Sequence, residues 1–463
     1  MIRRSLCLAV ASLAAAPLAA QAPSERRCRL EVLNVDREGS RDERLAGNVN
    51  YFAAGNVRLR CVAQEIFLDG DSLESYNAEV VRLITQAAYR DPDVRITADT
   101  LTYIKTSELL QARGNVRIVN RTSGSTLEGP HVDYLRAVRG IRDSAETVAL
   151  GRPVVHYRVA RAPGDSVDPS PYVIVADGLR GRGSSQLTGW GAVTIDRDSL
   201  GGRGDTLHYA RGDADVAVLV GVPAQMRRAG ADSFTVTGRQ VELVLDGEAL
   251  EGIRAFGDGH VLGGAGEIIA DSTALTFLDG ELVQTLAWDR ADRARVLAGG
   301  YDVRGDSVAI DTPGERLREL RVFQNGVLVE PEDSLATLPA DSLAAPVPDS
   351  ASAADVRNTM TGHRITARFT DHDSAGTVRT QVVDLVAIGS ATSLFAREVV
   401  RDGRLSPTIN YTRADTIVVV MKTGDTTGVA EVRAFGNVDG LQLERESLAR
   451  GAGTPAARRE EQP

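Results

Sequence analysis

Two short phrases recur along almost the whole chain, and this repetition restricts the possible folds more than any other feature. In the first, a small residue precedes Asp and an apolar run; in the second, Gly and a small or polar residue precede Val. The first occurs at Gly70-Asp71, Ala98-Asp99, Ala176-Asp177, Gly204-Asp205, Ala270-Asp271, Gly305-Asp306 and Ala414-Asp415. The second begins at Gly47, Gly55, Gly114, Gly191, Gly259 and Gly436. Such repetition indicates an architecture built from copies of one supersecondary unit.

The residues between the phrases alternate between apolar and polar with a period of two. Val94 and Ile96, for example, flank Arg95. This pattern predicts half-buried strands. The Asp, Asn and Gly residues at the junctions are expected to end or kink each strand, because Asp and Asn bond nearby backbone amides and Gly accepts positive φ. The best helix candidate, residues 74–89, also fits a strand, so we expect little helix.

A single hairpin cannot bury its own apolar face, so successive hairpins must stack. A sandwich, an elongated jelly roll and a solenoid all satisfy this requirement. With 463 residues and 43% hydrophobic side chains, the chain is long enough for a sizeable core. We therefore predict an all-β fold, an elongated taco-like β-jelly-roll stack of repeated antiparallel hairpins in two or more tandem modules.

Breaks in the pattern suggest the domain organisation. Residues 331–358 are rich in Pro, Ala, Ser and Asp, which is typical of a flexible linker or insertion. The predicted segments are a signal peptide at 1–22, a β-jelly-roll module at 23–165, a second β-repeat module at 170–330, the linker or insertion at 331–358, a third β segment at 359–445 and a disordered tail at 446–463.

The N-terminus has the features of a secretory signal peptide. Arg3 and Arg4 precede an apolar run over residues 6–18, and small residues follow, so cleavage after Ala20 or after Ala22 fits. The run is shorter than the roughly 20 residues of a membrane-spanning helix, which disfavours a retained anchor. We expect an exported protein of the periplasm, in association with the outer membrane.

Two cysteines, Cys28 and Cys61, follow the predicted signal peptide. In an oxidising compartment they can form a disulfide; the alternative is a pair of half-buried free thiols. Two cysteines without a nearby pair of histidines do not suggest zinc, and we predict no metal site.

The sequence lacks the usual signals of catalysis and of nucleic-acid binding. The formal net charge is −10 and the charges are interleaved, so there is no basic stripe for a phosphate backbone. The six histidines are scattered, and neither HExxH nor GxSxG occurs. A β-helical glycosidase is a further alternative, but the aspartates recur with the turns and do not stand out as a catalytic pair. We predict a non-enzymatic protein without a cofactor.

Residues 94–134 resemble the OstA/LptA family of lipopolysaccharide-transport proteins, which is related to the N-terminal domain of LptD. The matching elements are Ala98-Asp99, Gly114-Asn115-Val116 and Asp133-Tyr134, and a second resemblance covers residues 362–440. The resemblance implies a β-groove that shields the acyl chains of lipopolysaccharide, or of a similar envelope lipid, during transport to the outer membrane. It also suggests related jelly-roll proteins as partners, through edge-to-edge strand pairing.

A groove of this kind needs an apolar lining, because burial of each methylene contributes about 0.8 kcal/mol, or on the order of 10 kcal/mol for a twelve-carbon chain. The candidate lining residues are Ile96, Leu101, Tyr103, Val116, Ile118, Leu127, Val132, Tyr134, Leu275, Phe277, Ile417 and Val419. The alternative is that these residues fill an ordinary core, in which case the protein is an envelope scaffold or a surface repeat protein without lipid cargo. The sequence leaves both open.

Overall fold

The computed structural model describes residues 28–37, 41–42, 50–62, 64–77, 79–138, 140–158, 170–212, 215–230, 233–247, 249–264, 266–330, 358–374, 377–401, 404–424 and 428–444. The predicted signal peptide, the predicted tail, the Gly47 phrase and all of the predicted linker except Asn358 lie outside these residues. The chain divides into two units, unit 1 (Met1–Arg121) and unit 2 (Thr122–Pro463).

Antiparallel strands form almost all of the described structure, which confirms the predicted all-β fold. The strands of unit 1 are β1 (Leu30–Asn34), β2 (Arg41–Asp42), β3 (Asn50–Cys61), β4 (Ile66–Tyr76), β5 (Val80–Arg90), β6 (Val94–Ile104) and β7 (Leu109–Asn120). In residues 74–89, the best helix candidate, 74–76 belong to β4 and 80–89 to β5.

Unit 2 continues with the same kind of element. Its strands are β8 (Thr126–Leu135), β9 (Glu146–Leu150), β10 (Val154–Tyr157), β11 (Tyr172–Val175), β12 (Gly178–Arg182), β13 (Gln186–Arg197), β14 (Leu200–Ala210), β15 (Asp215–Arg228), β16 (Phe234–Asp246), β17 (Ala249–Gly263), β18 (Gly266–Leu278), β19 (Glu281–Trp288), β20 (Ala294–Ala298), β21 (Tyr301–Gly305), β22 (Ser307–Asp311), β23 (Glu319–Val329), β24 (Thr359–Ser374), β25 (Thr377–Arg401), β26 (Arg404–Lys422), β27 (Gly428–Phe435) and β28 (Asp439–Glu444). The 3-10 turn Pro313–Glu315 is the one helical element in the described part of the chain.

Each long strand pairs with its neighbours in sequence order. In unit 1, β3 to β7 follow one another in antiparallel register, and β1 and β2 both pair with β3. In unit 2 the same order runs from β13 to β19, and from β23 to β27. Val329 of β23 pairs with Thr359 of β24, so the predicted linker connects two adjacent strands of one sheet.

The register of most neighbouring strands shifts where one strand carries two consecutive residues with positive φ, and we call each such pair a corner. At two further corners one strand ends and the next begins: Gly151-Arg152, between β9 and β10, and Gly436-Asn437, between β27 and β28. The corners inside strands are Gly55-Asn56, Thr85-Gln86 and Gly114-Asn115 in unit 1, and Gly191-Ala192, Gly257-Asp258, Gln324-Asn325 and Gly389-Ser390 in unit 2. They are β-bulges, in which extra residues on one strand bend it away from a regular ladder. The second sequence phrase therefore marks bends inside strands.

The corners keep apolar side chains on one face of the sheet. In β6 the buried residues are Val94, Ile96 and Ala98 before the corner, and Leu101 and Tyr103 after it. If the alternation continued unchanged from Ala98, Leu101 and Tyr103 would point outward, because successive side chains of a strand lie on opposite faces. The shift at the corner returns them to the interior.

The two arms of a bent strand face each other. Tyr89 pairs with Ile96 on one arm of β6, and Tyr103 lies on the other arm, yet the centroids of the two tyrosine rings are 6.4 Å apart. In unit 2, Phe234 and Phe277 lie on different arms with ring centroids 5.7 Å apart. Both units are therefore folded sheets whose arms pack face to face, as in a sandwich.

Unit 2 can be described as two layers joined at the corners. Layer A contains β10, β11, β20, β21 and β28, and layer B contains β9, β12, β19, β22 and β27. The longer strands contribute one arm to each layer; in β15, for example, residues 215–220 belong to layer B and residues 224–228 to layer A. We call the margin opposite the corners, where the hairpin turns of the two layers meet, the seam.

Candidate functional site

The interior between the facing arms is the candidate site, because the predicted lining residues lie there. In unit 1, Ile96, Leu101, Tyr103, Val116 and Ile118 are all buried. In unit 2 the predicted residues that are buried are Val132, Tyr134, Leu275, Phe277, Ile417 and Val419. Leu127 is only partly buried. The predicted residues thus come together inside each unit, on the face that the alternation selects.

In unit 2, the predicted residues that are buried lie on one side of the interior only. The buried predicted residues there all belong to layer B. Residues of layer A face them across the interior, and among these are Ile174, Ile195, Phe234, Val261 and Ile268. Apolar and polar residues also alternate on the other side of each corner, and this pattern could have predicted the buried residues of layer A.

In the described part of unit 2, cavities of about 90, 40 and 20 Å³ lie between the layers. The first lies among Phe234, Val261 and Ile268 of layer A and Leu282 and Ile310 of layer B. Each is far below the ~300 Å³ at which pockets for drug-sized ligands begin. An acyl chain could therefore enter at these cavities only if the layers moved apart.

Arg228, at the seam end of layer A, makes one connection between the layers. Its guanidinium lies 5.3 Å from the ring centroid of Phe234 and 5.1 Å from that of Phe277 in layer B. Its Nη2 donates a hydrogen bond of 2.8 Å to the carbonyl of Gly280, in the turn between β18 and β19. Its Nη1 lies 3.6 Å from Oε1 of Glu315. The side chain thus crosses the seam above the 90 Å³ cavity.

A tyrosine cluster makes a second connection across the seam. The hydroxyl groups of Tyr157 in layer A and Tyr209 in layer B are 3.2 Å apart, and Tyr209 also donates to Asp215 at 3.0 Å. Arg211 donates to the Tyr157 hydroxyl at 3.1 Å. Burial, followed by the hydrogen bonds with Tyr157 and Asp215, raises the pKa of the Tyr209 hydroxyl well above its usual range. The phenol is therefore protonated at neutral pH and can donate.

The apolar cavity of about 40 Å³ lies directly behind these tyrosines. Its walls include Ile174 and Ile195 of layer A, and Leu207, Leu243 and Leu245 of layer B. Both seam connections thus stand beside an interior cavity. Neither connection was predicted from the sequence. An aromatic or charged residue at the end of a strand, far from the Gly and Asp phrases, is the pattern that could have indicated them.

The cysteines lie at one end of the sheet in unit 1. Cys28 precedes β1 and Cys61 ends β3, and their sulfur atoms form a disulfide with the Cα atoms 5.1 Å apart. This separation is within the usual range for a disulfide. Both side chains are buried.

The described segments contain no group of three or more His, Cys, Asp and Glu side chains arranged to hold a metal ion. Among the same segments, no helix has the length and hydropathy to cross a bilayer.

Comparison with known proteins gives no assignment: neither a protein-family model nor a curated protein matches the chain.

Proposed function

We propose that this protein is a carrier of acyl chains in a bacterial envelope, which binds lipopolysaccharide or a similar lipid between its facing layers during transport to the outer membrane. The observation that carries the proposal is the asymmetry of unit 2. Its layers are covalently continuous at the corners, whereas at the seam they meet through side chains such as Arg228 and Tyr157, with cavities behind them. This arrangement supports the proposal that the layers hinge at the corners and open at the seam.

The energetics are compatible with such an opening. Separation of the layers exposes apolar surface, which costs about 25 cal/mol for each Å². An acyl chain that enters covers the same surface and loses its own contact with water, which contributes on the order of 10 kcal/mol for twelve carbons. The protein needs no catalytic group for this exchange.

The resemblance of residues 94–134 and 362–440 to the OstA/LptA family supports the same proposal. In the structure, Ala98-Asp99 and Gly114-Asn115-Val116 lie side by side on β6 and β7. Export through the predicted signal peptide would place the carrier in the periplasm, where a lipid must cross an aqueous layer.

We further propose that related jelly-roll proteins bind at the sheet edges. Among the described residues, β1 pairs only with β3, and β28 pairs only with β26. Val32 and Leu33 of β1 are exposed, as are Phe435 and Leu441 near the other edge. Unpaired edges with exposed apolar side chains favour strand addition from a neighbour.

A scaffold with a filled core and no lipid cargo is the second candidate. The observation in its favour is the small size of the three interior cavities. Close packing is the ordinary condition of a protein interior and needs no ligand to explain it.

Lipid analysis combined with photo-crosslinking separates the two candidates. The full protein is purified from the envelope of its host and co-purified lipid is identified by mass spectrometry. A photo-crosslinking residue is placed at Tyr103 or Ile118 in unit 1 and at Leu275 in unit 2, which are all buried, and for control at Arg95, which is exposed on the outer face of β6. Circular dichroism verifies that each variant folds.

A carrier should label lipid from the interior positions and much less from Arg95. If the folded interior variants label only protein, and if no lipid co-purifies, the scaffold is the correct assignment.

A further inference from the structure

Arg228 is more deeply buried than a surface arginine and is poorly satisfied. Its side chain is 19% exposed, and that of Glu315 is 20% exposed. A guanidinium carries several N–H donors. The bond to Gly280 is the only hydrogen bond that the described residues provide to the side chain of Arg228. The other N–H donors of the guanidinium can therefore bind an additional oxygen ligand at this partly dry site.

Among the described residues, Glu315 is the carboxylate within ion-pair distance of Arg228, and it holds Arg228 only loosely. Their charged atoms are 3.6 Å apart, which is an ion-pair distance but too long for a good hydrogen bond. Glu315 ends the 3-10 turn Pro313–Glu315, between β22 and β23 of layer B. A ligand oxyanion that takes the place of Glu315 at Arg228 would therefore replace a weak contact of the guanidinium.

The cavity beside Arg228 is suited to the apolar part of the same ligand. Phe234 and Phe277 stack on the guanidinium, and Phe234 also lines the cavity, together with Val261, Ile268 and Ile310. The charged group thus stands at the seam, and the apolar walls begin directly behind it. This order, from charge to hydrocarbon, is the order of groups in an anionic amphiphile.

We infer that Arg228 and the cavity behind it form a binding site for the anionic head and the first methylenes of an acyl-chain amphiphile, with Glu315 as the internal group that the head displaces. The inference rests on the proposed carrier function and adds to it a place of entry and a preference for negative charge. Carboxylate and phosphate heads share the required chemistry, since both offer oxygens to a guanidinium.

Calorimetric titration of the full, delipidated protein tests the inference. The ligands are dodecanoate, dodecyl phosphate, uncharged dodecanol and inorganic phosphate, with the amphiphiles kept below their micelle concentrations. Dodecanoate and dodecyl phosphate should each bind about ten-fold more tightly than dodecanol, because a hydrogen bond to a charged group is worth at least that factor. Inorganic phosphate should not bind, since it has no chain.

Substitutions on the two sides of the ion pair should act in opposite directions. Arg228→Gln should weaken dodecanoate binding about ten-fold and leave dodecanol unchanged, whereas Glu315→Gln should strengthen dodecanoate binding, because the competing carboxylate is gone. Arg228→Lys should keep part of the preference for anions. Arg227→Gln is the matched control, since Arg227 is adjacent but exposed on the outer face.

The inference is overturned if dodecanol binds as tightly as dodecanoate, if inorganic phosphate binds as tightly as the amphiphiles, or if the Arg228 and Glu315 variants both weaken binding. The first of these results leaves the carrier function intact. Failure of all three amphiphiles to bind, together with an absence of co-purified lipid, instead contradicts the carrier function itself.

Discussion

The carboxylate of Asp99 accepts a hydrogen bond of 2.9 Å from the side-chain amide of Asn115 on the neighbouring strand. The same bond joins Asp36 to Asn56, Asp306 to Asn325 and Asp415 to Asn437. At several of these sites the Asp amide also donates to the carbonyl of the first corner residue, as Asp415 does to Gly436 at 2.8 Å. The Asp phrase and the Gly-Asn phrase are thus the two halves of one corner.

Gly114 lies so close to Asp99 that a larger residue cannot fit without displacement. Its φ is +73°, and a Cβ built there would lie 2.9 Å from Cγ of Asp99. We predict that Gly114→Ala lowers the free energy of unfolding of unit 1 by about 2–4 kcal/mol, through left-handed strain and overpacking. Urea dependence of hydrogen exchange in β6 and β7 measures the effect.

A double-mutant cycle identifies the cause. In an Asp99→Ala background the clash is reduced. Gly114→Ala should then lower the free energy of unfolding by only about 1–2 kcal/mol, which is the cost of a left-handed backbone at alanine. Equal costs in the two backgrounds would show that contact with Asp99 does not explain the requirement for glycine.

The alternation and the phrases were sufficient to predict the all-β fold, because both depend on local chemistry. The alternation of apolar and polar residues changes phase between Ala98 and Leu101, which is visible in the sequence. The register of β6 with β7 shifts at the same place. Glycine, Asn and Asp are the residues that tolerate or stabilise positive φ, so they marked most corners in advance.

The remaining corners depend on tertiary context. Thr85-Gln86 has positive φ at both residues without glycine. Its position is fixed by pairing with β6, in which the ladder skips Asp99, between Ala98 and Thr100, opposite Thr85-Gln86. The phrase that begins at Gly259 also failed to mark its corner, because the two residues with positive φ are Gly257 and Asp258. Arg228 and Glu315 lie far apart in sequence and meet only after the layers fold together, so no local pattern could connect them.

Asp302 should make the stability of unit 2 sensitive to acid. Arg295 and Arg304 face each other across the β20–β21 hairpin, and Asp302 forms hydrogen bonds with both. Partial burial opposes its ionisation, but the hydrogen bonds from Arg304 and Arg295 outweigh burial and lower the pKa of Asp302. The two arginines would repel each other without this carboxylate.

Because the folded pKa is lowered, the contribution of Asp302 is present above the unfolded value of about 3.9 and is lost as pH falls through the folded pKa. We predict that Asp302→Asn reduces the Tm by a few degrees at pH 7, and that the difference from the native protein disappears in strong acid. Calorimetric scans from pH 7 to pH 2 provide the measurement. A difference independent of pH would exclude the charge as its origin.

The disulfide should stabilise unit 1. It closes a loop with a sequence separation of 33 residues. For a loop of this size the chain-entropy model gives a stabilisation of roughly 3–4 kcal/mol. We predict that Cys28→Ala with Cys61→Ala accelerates hydrogen exchange in β3 to β6 and leaves the strands of unit 2 unchanged. The single variant Cys28→Ala should have nearly the full effect, and a much smaller effect would assign the loss to side-chain packing.

The edge formed by β27 and β28 should govern self-association. Phe435 and Leu441 are 54% and 56% exposed, on strands whose outer sides have no partner among the described residues. We predict that Phe435→Lys with Leu441→Lys weakens self-association at least ten-fold in sedimentation velocity, because lysine on an edge strand opposes strand addition. Leu278→Lys is the control, since Leu278 is also exposed but ends β18, whose neighbour β19 already pairs with it. If the native protein is a strict monomer at high concentration and crosslinks to no partner, edge pairing is excluded and the carrier must act alone.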